Sequence, residues 1–289
     1  MSVHSAFEVA MPGVSPGVYD AADFQAISEI AHREVGIVLP PGKAMLVYSR
    51  LAPLVRDSGC QTFAAYVMRI REDTAERTRA ICALTTNHTF FYRESHHFEH
   101  FAREIRPRLI EQLERGGRVR MWSAGCSSGE EVWSLVMTLL GPDRNAGLQL
   151  ARRDIRVLAS DIATHAITKA QAARYRQEDL NPVPEPLRRA WTVPDGAEAT
   201  IAPEAQALLR FRHLNLLGDW PMAGTFDVIF CRNVMIYFDT PTKERLVARF
   251  AEKLPPGGHL YIGHSERVTG PALGTLANTG PTIYERRAA

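Results

Sequence analysis

With 289 residues, 45% of them apolar and 23% charged, the chain can fill one large domain or two modest ones and is neither disordered, fibrous nor a covalently stapled mini-protein. Lys and Arg exceed Asp and Glu by only 34 to 32, which speaks against a surface built to blanket a polyphosphate, so no nucleic-acid partner is expected. Cys60, Cys82, Cys126 and Cys231 form no C-x-x-C pair, and neither a basic n-region nor an apolar run of ~20 residues occurs; a cytoplasmic protein with no membrane insertion and no metal is expected.

Residues 1–18 hold Pro12, Gly13, Pro16 and Gly17 without an apolar period and predict a disordered leader. From Asp20 the spacing turns helical: Phe24, Ile27, Ala31 and Val35 form one stripe, Asp20 caps it and Gly36 ends it. A second helix after Pro40-Pro41-Gly42 carries Leu46/Val47, Leu51 and Leu54/Val55 on its inner side, and Pro53 is expected to kink it or end it early. Thr62 caps a third helix through Phe63, Tyr66, Val67 and Ile70, and a fourth carries Ile81 and Leu84. Residues 19–85 therefore predict a small all-α domain, with 86–98 as a linker.

A further helix (Phe98, Phe101, Ile105, Leu109, Leu113) leads through Gly116-Gly117 into a different texture. Strands are predicted at 119–123, 155–160, 209–213, 226–231, 260–263 and 282–286, alternating with helices at 130–140, 162–174 and 240–253. That is the pattern of an α/β, doubly wound, mostly parallel sheet over residues 99–289. Pro182, Pro184, Pro186, Pro194 and Pro203 are too many for a plain crossover helix, so an inserted subdomain or elaborate loop is expected there.

Four stretches carry chemistry. The predicted strand at 119–123 runs into Ala124-Gly125-Cys126-Ser127-Ser128-Gly129-Glu130-Glu131, a small-residue turn that lets a ligand approach the backbone. Its G-x-x-x-G spacing and two carboxylates disfavour a pyrophosphate, whereas an ammonium-bearing cofactor suits Glu130 or Glu131. Asp161 ends the second strand and reads either as the acceptor of two ribose hydroxyls or as a helix cap. Taken with the first turn, it points to S-adenosylmethionine. Thr85 to Phe98 groups amide, hydroxyl and guanidinium side chains among aromatics and reads as a cleft wall or as a hinge. Finally, Phe226 to Cys231 empties into Arg232-Asn233 and an aromatic stretch at the rim where such sheets bind ligands. Gly36 to Ala44 fails as a P-loop, and His96 and His100 lack a third zinc ligand. Cys126 and Cys231 read as small buried residues.

The series T-T-N-x-T-x-F-x-R-E-x-H-H-F, W-S-A-x-C-S-x-G-E-E, S-D-I, N-L-L, F-D-V-I-F-C-R-N-V-M-I-Y-F and G-H-S-E resembles the CheR family of chemotaxis receptor glutamate methyltransferases from about Phe24 to the C-terminus. The resemblance implies an all-α domain, a Rossmann-like S-adenosylmethionine domain and a small inserted β subdomain, placed at 181–213. It implies that Asn87, Thr89 and Arg93 close over the cofactor, that Glu131 meets its amino end and that Asp161 takes the ribose. Asn215, Leu216, Arg232 and Asn233 complete the wall, and Arg93 and Tyr237 stand nearest the transferring methyl. Tyr237 also reads as a core-edge tyrosine, and His264-Ser265-Glu266 has no assigned role beyond structure.

The implied reaction gives a glutamate methyl ester and S-adenosylhomocysteine. An unperturbed glutamate is ionised at neutral pH, so no general base is required. The implied partner is the helical cytoplasmic bundle of a chemoreceptor, for which Lys43, Arg50 and Arg56 on the second helix form a candidate contact, against the alternative of a solvated face. Val193 to Ala197 is shorter than the glycine-bearing loop with which some members grip a receptor tail peptide, which speaks against tail tethering. Two rivals remain: a methyltransferase with another acceptor, and a catalytically silent cofactor-binding adaptor.

Overall fold

The computed structural model describes Ser15 and residues 17–288 and divides the chain into two compact units. Of the expected leader, residues 1–14 and 16 lie outside the described residues. Val18 corrects its boundary, because its carbonyl accepts from Phe63 N–H at 2.9 Å and so belongs to the fold.

The first unit takes the chain up to Thr86 together with Tyr237–Thr242. Helix α1 (Ala21–Val35) opens with a capping box, Asp20 and Asp23 each accepting the other's N–H, and closes on Gly36 at φ 72°. Helix α2 spans Ala44–Asp57 and contains Pro53, so the expected early end does not occur. Val47, Leu51 and Val55 are buried before and after the proline, and their packing outweighs one missing hydrogen bond. Thr62 caps α3 (Phe63–Glu72) through Ala65 N–H, and Asp73 caps α4 (Thr74–Leu84) through Ala75 and Glu76. Arg50 donates to the carbonyls of Leu84 and Thr85 and to Thr86 Oγ1, which ties α2 to the end of α4. Val38 N–H donates to the Tyr237 carbonyl at 2.8 Å, and the His32 ring meets Asp239 at 2.8 Å.

The second unit comprises Asn87–Ile236 and the chain from Lys243. The predicted long helix is real but broken: α5 (His96–His100), one π-helical turn (Phe101–Ile105) and α6 (Arg106–Glu114). Strands β1 (Val119–Ala124) and β2 (Ile155–Asp161) follow, with α7 (Glu130–Leu140) and α8 (Arg144–Ala151) between them. Every residue of α7 is buried. Helix α9 (Thr164–Ala172) ends at Ala173, whose φ of 51° turns the chain directly into strand β3 (Arg174–Arg176).

Strand β3, β4 (Thr192–Asp195) and β5 (Glu198–Ile201) form a separate antiparallel sheet in the order β3-β5-β4. The inserted subdomain therefore begins before residue 181 and closes before 209. The prolines are accommodated at helix starts: Pro186 opens α10 (Glu185–Trp191) and Pro203 opens α11 (Pro203–Gln206), positions that need no donor. Pro194 sits on edge strand β4.

Strand β6 (Leu209–His213), expected as a strand of the alternating pattern yet within the 181–213 bounds of the insertion, belongs to the main sheet. With β7 (Val228–Cys231), β8 (His259–Ile262), β9 (Leu276–Gly280) and β10 (Ile283–Arg286), and with α12 (Thr240–Glu252) between β7 and β8, that sheet has the order β6-β2-β1-β7-β8-β10-β9. Its first five strands are mutually parallel, and β10 and β9 pair antiparallel at the far edge. Strand order reverses between β1 and β7, which places a ligand crevice at the carboxyl ends of those two strands.

Candidate active site

The β1 turn is shaped by its neighbours. Gly125 N–H and Cys126 N–H both donate to the Ser160 carbonyl of β2, at 2.8 and 2.9 Å. Gly125 has φ 91°, and a Cβ there would stand 2.4 Å from Val234 Cγ2, so only glycine fits. Asp161 accepts Ser127 N–H at 2.8 Å and Ala163 N–H at 2.9 Å, and is 7% exposed. Burial pushes its carboxyl up, and the two amides work in the opposite direction. Ala163, not Asp161, is the N-cap of α9, so the simple capping alternative does not describe it.

The segment from Asn87 lies on this turn, Ser127 Oγ donating to the Asn87 carbonyl at 3.0 Å. Buried Phe91 stands edge-on to Tyr175, and Tyr92 N–H donates to Ser134 Oγ at 3.0 Å, which pins the segment to α7. Thr89 is half-buried on the same stretch. The half-buried Arg93 guanidinium donates to the His88 carbonyl at 2.9 Å and lies 5.8 Å from the Phe90 ring centroid.

Arg232, at the exit of β7, is 5% exposed and sits between two carboxylates: Glu131 Oε2 at 3.2 Å and Glu94 Oε2 at 3.2 Å. It also donates to the Arg93 carbonyl. The other Glu131 oxygen accepts from Ser123 Oγ at 2.8 Å. Burial pushes the Glu131 carboxyl up and the Arg232 charge opposes it. Both Glu131 oxygens thus hold protein donors, and in this geometry Glu131 anchors Arg232.

Glu94 gathers Arg232, Asn233 Nδ2 at 3.2 Å, the His264 ring at 2.9 Å and His264 N–H at 3.1 Å. Burial resists its ionisation, yet Arg232 and these donors hold it down at about 2. Glu266 is 5% exposed and accepts the N–H groups of Gly263, Asn233 and Ile236, binding the loop after β7 to the loop after β8. Burial raises its carboxyl, and the amides counter that rise. Asn215 Oδ1 accepts Leu217 N–H at 3.0 Å, and Arg249 donates to the carbonyls of Leu216 and Gly218 while lying 3.9 Å over the Trp220 ring.

Of the expected site residues, Asn87, Thr89, Arg93, Glu131, Asp161, Asn215, Leu216, Arg232 and Asn233 belong to the second unit, and Tyr237 belongs to the first. Glu94, Ser127 and Arg249 were not singled out by the sequence reading. For Glu94, a signal was available in its place beside Arg93. Tyr92, Glu94, Ser127 and Asn233 are non-glycine residues at φ 55°, 58°, 49° and 59°, and such strain gathers where geometry is over-determined. Cys126 and Cys231 are free and buried, and burial pushes both thiols up, as inert packing residues require. Among the described residues no His, Cys, Asp and Glu group is arranged to hold a metal, and no helix is long and apolar enough to cross a membrane.

The residues present suit S-adenosylmethionine: a buried carboxylate at the tip of β2, a glycine turn that a Cβ would block, and a buried arginine whose Nε has no hydrogen-bond partner among the described residues. Comparison with known proteins agrees. Residues 87–278 match the S-adenosylmethionine-binding domain of the CheR methyltransferases, and residues 22–85 match their all-α domain. The chain is 41% identical to a probable chemotaxis protein methyltransferase of Rhizobium etli, over 88% of this chain and 95% of that protein. It is 39% identical to chemotaxis protein methyltransferase 2 of Pseudomonas aeruginosa, over 92% and 93%, and 38% identical to the chemotaxis protein methyltransferase of Escherichia coli, over 85% and 84%. The strand order, the glycine turn and these matches together make the chain a member of the CheR methyltransferase family, built around an S-adenosylmethionine-binding domain.

Proposed function

We propose that this protein is a cytoplasmic chemotaxis methyltransferase that esterifies glutamate side chains on the helical cytoplasmic domain of a chemoreceptor. The observation that carries this reading is that the buried acid and imidazole of the site are already engaged by protein partners, Glu94 by Arg232 at 3.2 Å and His97 by Thr282 Oγ1 at 2.9 Å. Glu94 is held ionised by Arg232, and buried His97 is kept neutral, burial and the Arg232 charge lowering its pKa to about 3. Both groups are committed to structure, as befits an acceptor that arrives already anionic and needs no proton removed.

When bound, S-adenosylmethionine supplies a sulfonium-activated methyl, which a carboxylate oxygen takes as the carbon–sulfur bond breaks and its electron pair returns to sulfur. The protein's part is orientation and exclusion of water. Asp161 is assigned to the ribose end, and the Gly125–Gly129 turn lets the ligand approach the protein backbone. Arg93, half-buried beside the His88 carbonyl, steers carboxylate groups. Tight alignment of acceptor oxygen, methyl carbon and sulfur draws on the ~7–11 kcal/mol available from proximity. Tyr237 is proposed to hydrogen-bond the acceptor carboxylate.

In the first unit Lys43 and Arg56 are exposed and suit an acidic receptor surface, whereas Arg50 is half-buried and braces α4. Incubation with methyl-labelled cofactor and a purified receptor cytoplasmic fragment tests the reading. The label should be released as methanol in mild alkali, and alkali-stable label would assign the acceptor to another atom.

A further inference from the structure

Along β1, β2 and β6 one face of the sheet enters the core through Val119, Met121, Ile155, Val157, Ala159 and Leu209. Side chains alternate, and parallel partners share a face, so the pairs Arg120↔Arg156, Leu158↔Arg210 and Ser160↔Arg212 lie on the opposite face. On β1 that face is covered, with Trp122 packed against Trp220, Phe226 and Phe250 at centroid distances of 4.8, 5.3 and 5.3 Å. On β6 and most of β2 it is open: Arg156, Arg210 and Arg212 are exposed and Leu158 is half-buried, while Ser160 is covered and accepts from Trp122 Nε1 at 2.9 Å.

This is an unusual place for arginine. β2 is an interior strand flanked on both sides by parallel partners, a position that is ordinarily apolar on both faces. Like charges on adjacent strands also oppose pairing. Arg120 is neutralised by Asp154 at 2.9 Å. Among the described residues, Arg156, Arg210 and Arg212 have no carboxylate within ion-pair distance, and their hydrogen bonds go to nearby backbone carbonyls. Protection of an exposed edge accounts for charges on β6 but not for Arg156 on the interior strand.

We infer that the open face of β2 and β6 is a docking surface for an acidic α-helix of a partner protein. Arg210 and Arg212 stand ~7 Å apart along β6, and Arg156 lies diagonally from Arg210 across the strands at roughly 8 Å. A helix bearing Asp or Glu at i, i+3 and i+4 offers carboxylates about 5–6 Å apart, and the guanidinium fork takes a carboxylate in two parallel bonds. Nucleic acid fits less well. Trp122 is fully buried and leaves no exposed ring on which bases would stack, and a flat sheet face carries no element to enter a groove. The inference concerns a partner, whichever acceptor is methylated.

The test uses the full chain and a fluorescent helical peptide with Glu at successive i, i+4 positions, alongside its Gln counterpart, duplex RNA and anionic vesicles. At low salt the Glu peptide should bind, the Gln peptide should not, and amide-exchange protection should fall on β2 and β6. The variant Arg156→Gln/Arg210→Gln/Arg212→Gln should raise the peptide Kd at least about tenfold with S-adenosylhomocysteine affinity unchanged. If that variant loses cofactor affinity, Arg210→Gln alone, at the sheet edge, must still weaken the peptide about threefold. No binding to the wild type, equal binding to the variants, or tighter binding of RNA or vesicles than of the Glu peptide would overturn the proposal.

Discussion

Glu94 and Arg232 form an ion pair of 3.2 Å, with side chains 11% and 1% exposed, that joins the segment before α5 to the exit of β7. Once Glu94 is removed, Glu131 is the remaining carboxylate beside Arg232 among the described residues. Glu94→Ala should therefore destabilise the protein by about 2–3 kcal/mol in urea unfolding and reduce kcat more than it raises the cofactor KM. Because the folded pKa of Glu94, about 2, lies below its ordinary 4.5, its contribution is complete above about pH 4.5 and is lost as pH falls towards 2. The wild type should lose stability across that window more steeply than Glu94→Gln.

Asp161 has two tasks, to hold the β1 turn and to meet the ribose. Asp161→Asn keeps an acceptor for Ser127 N–H but loses the charge, so the fold should survive while S-adenosylhomocysteine affinity falls about 10- to 100-fold by calorimetry. Unchanged affinity would remove Asp161 from the ribose.

His97 works in the opposite pH direction from a paired imidazolium. Buried against Thr282 at 2.9 Å, it resists protonation until about pH 3, whereas the unfolded chain takes up the proton near 6.5. Its contribution is full above about 6.5 and declines as pH falls towards 3. His259 adds to the loss, with burial lowering its pKa to about 4. His97→Phe should flatten the stability profile between pH 6.5 and 4, which thermal unfolding across that range would register.

The helical domain separates two arginines that the sequence presents alike. Arg50→Ala removes bonds to Leu84, Thr85 and Thr86 and should cost about 1.5–3 kcal/mol of stability. Exposed Arg56→Glu should leave stability and S-adenosylhomocysteine affinity unchanged and lower methylation of a receptor fragment several-fold, with Arg56→Lys restoring it. Equal methylation would return Arg56 to the solvated surface.

What the sequence made legible was local. The Asp20 and Thr62 caps, the Gly36 stop and α7 at its full length follow from short-range rules, and the turn from Gly125 to Glu131 identified the crevice. Three kinds of feature were hidden. Pro53 and the prolines of the insertion read as breakers, yet packing carried α2 past one and helix starts absorbed two others. Strand β9, Leu-Ala-Asn-Thr-Gly, has turn-like composition and exists because β10 pairs with it. Glu94 meets His264 and Glu266 meets Asn233 across long stretches of chain, a closeness that the fold creates and spacing does not announce.

The π-helical turn at Phe101–Ile105 accommodates one residue more than an α-turn of similar rise. Deleting a single position there would let ordinary helix run through and swing everything upstream by about 100° around the axis. His97 would swing away from Thr282, and Phe98 from the Phe230 ring 5.8 Å away. In this stretch the number of residues sets the packing as much as their identity does, and a frame-preserving deletion would be more harmful than most exchanges of one side chain for another.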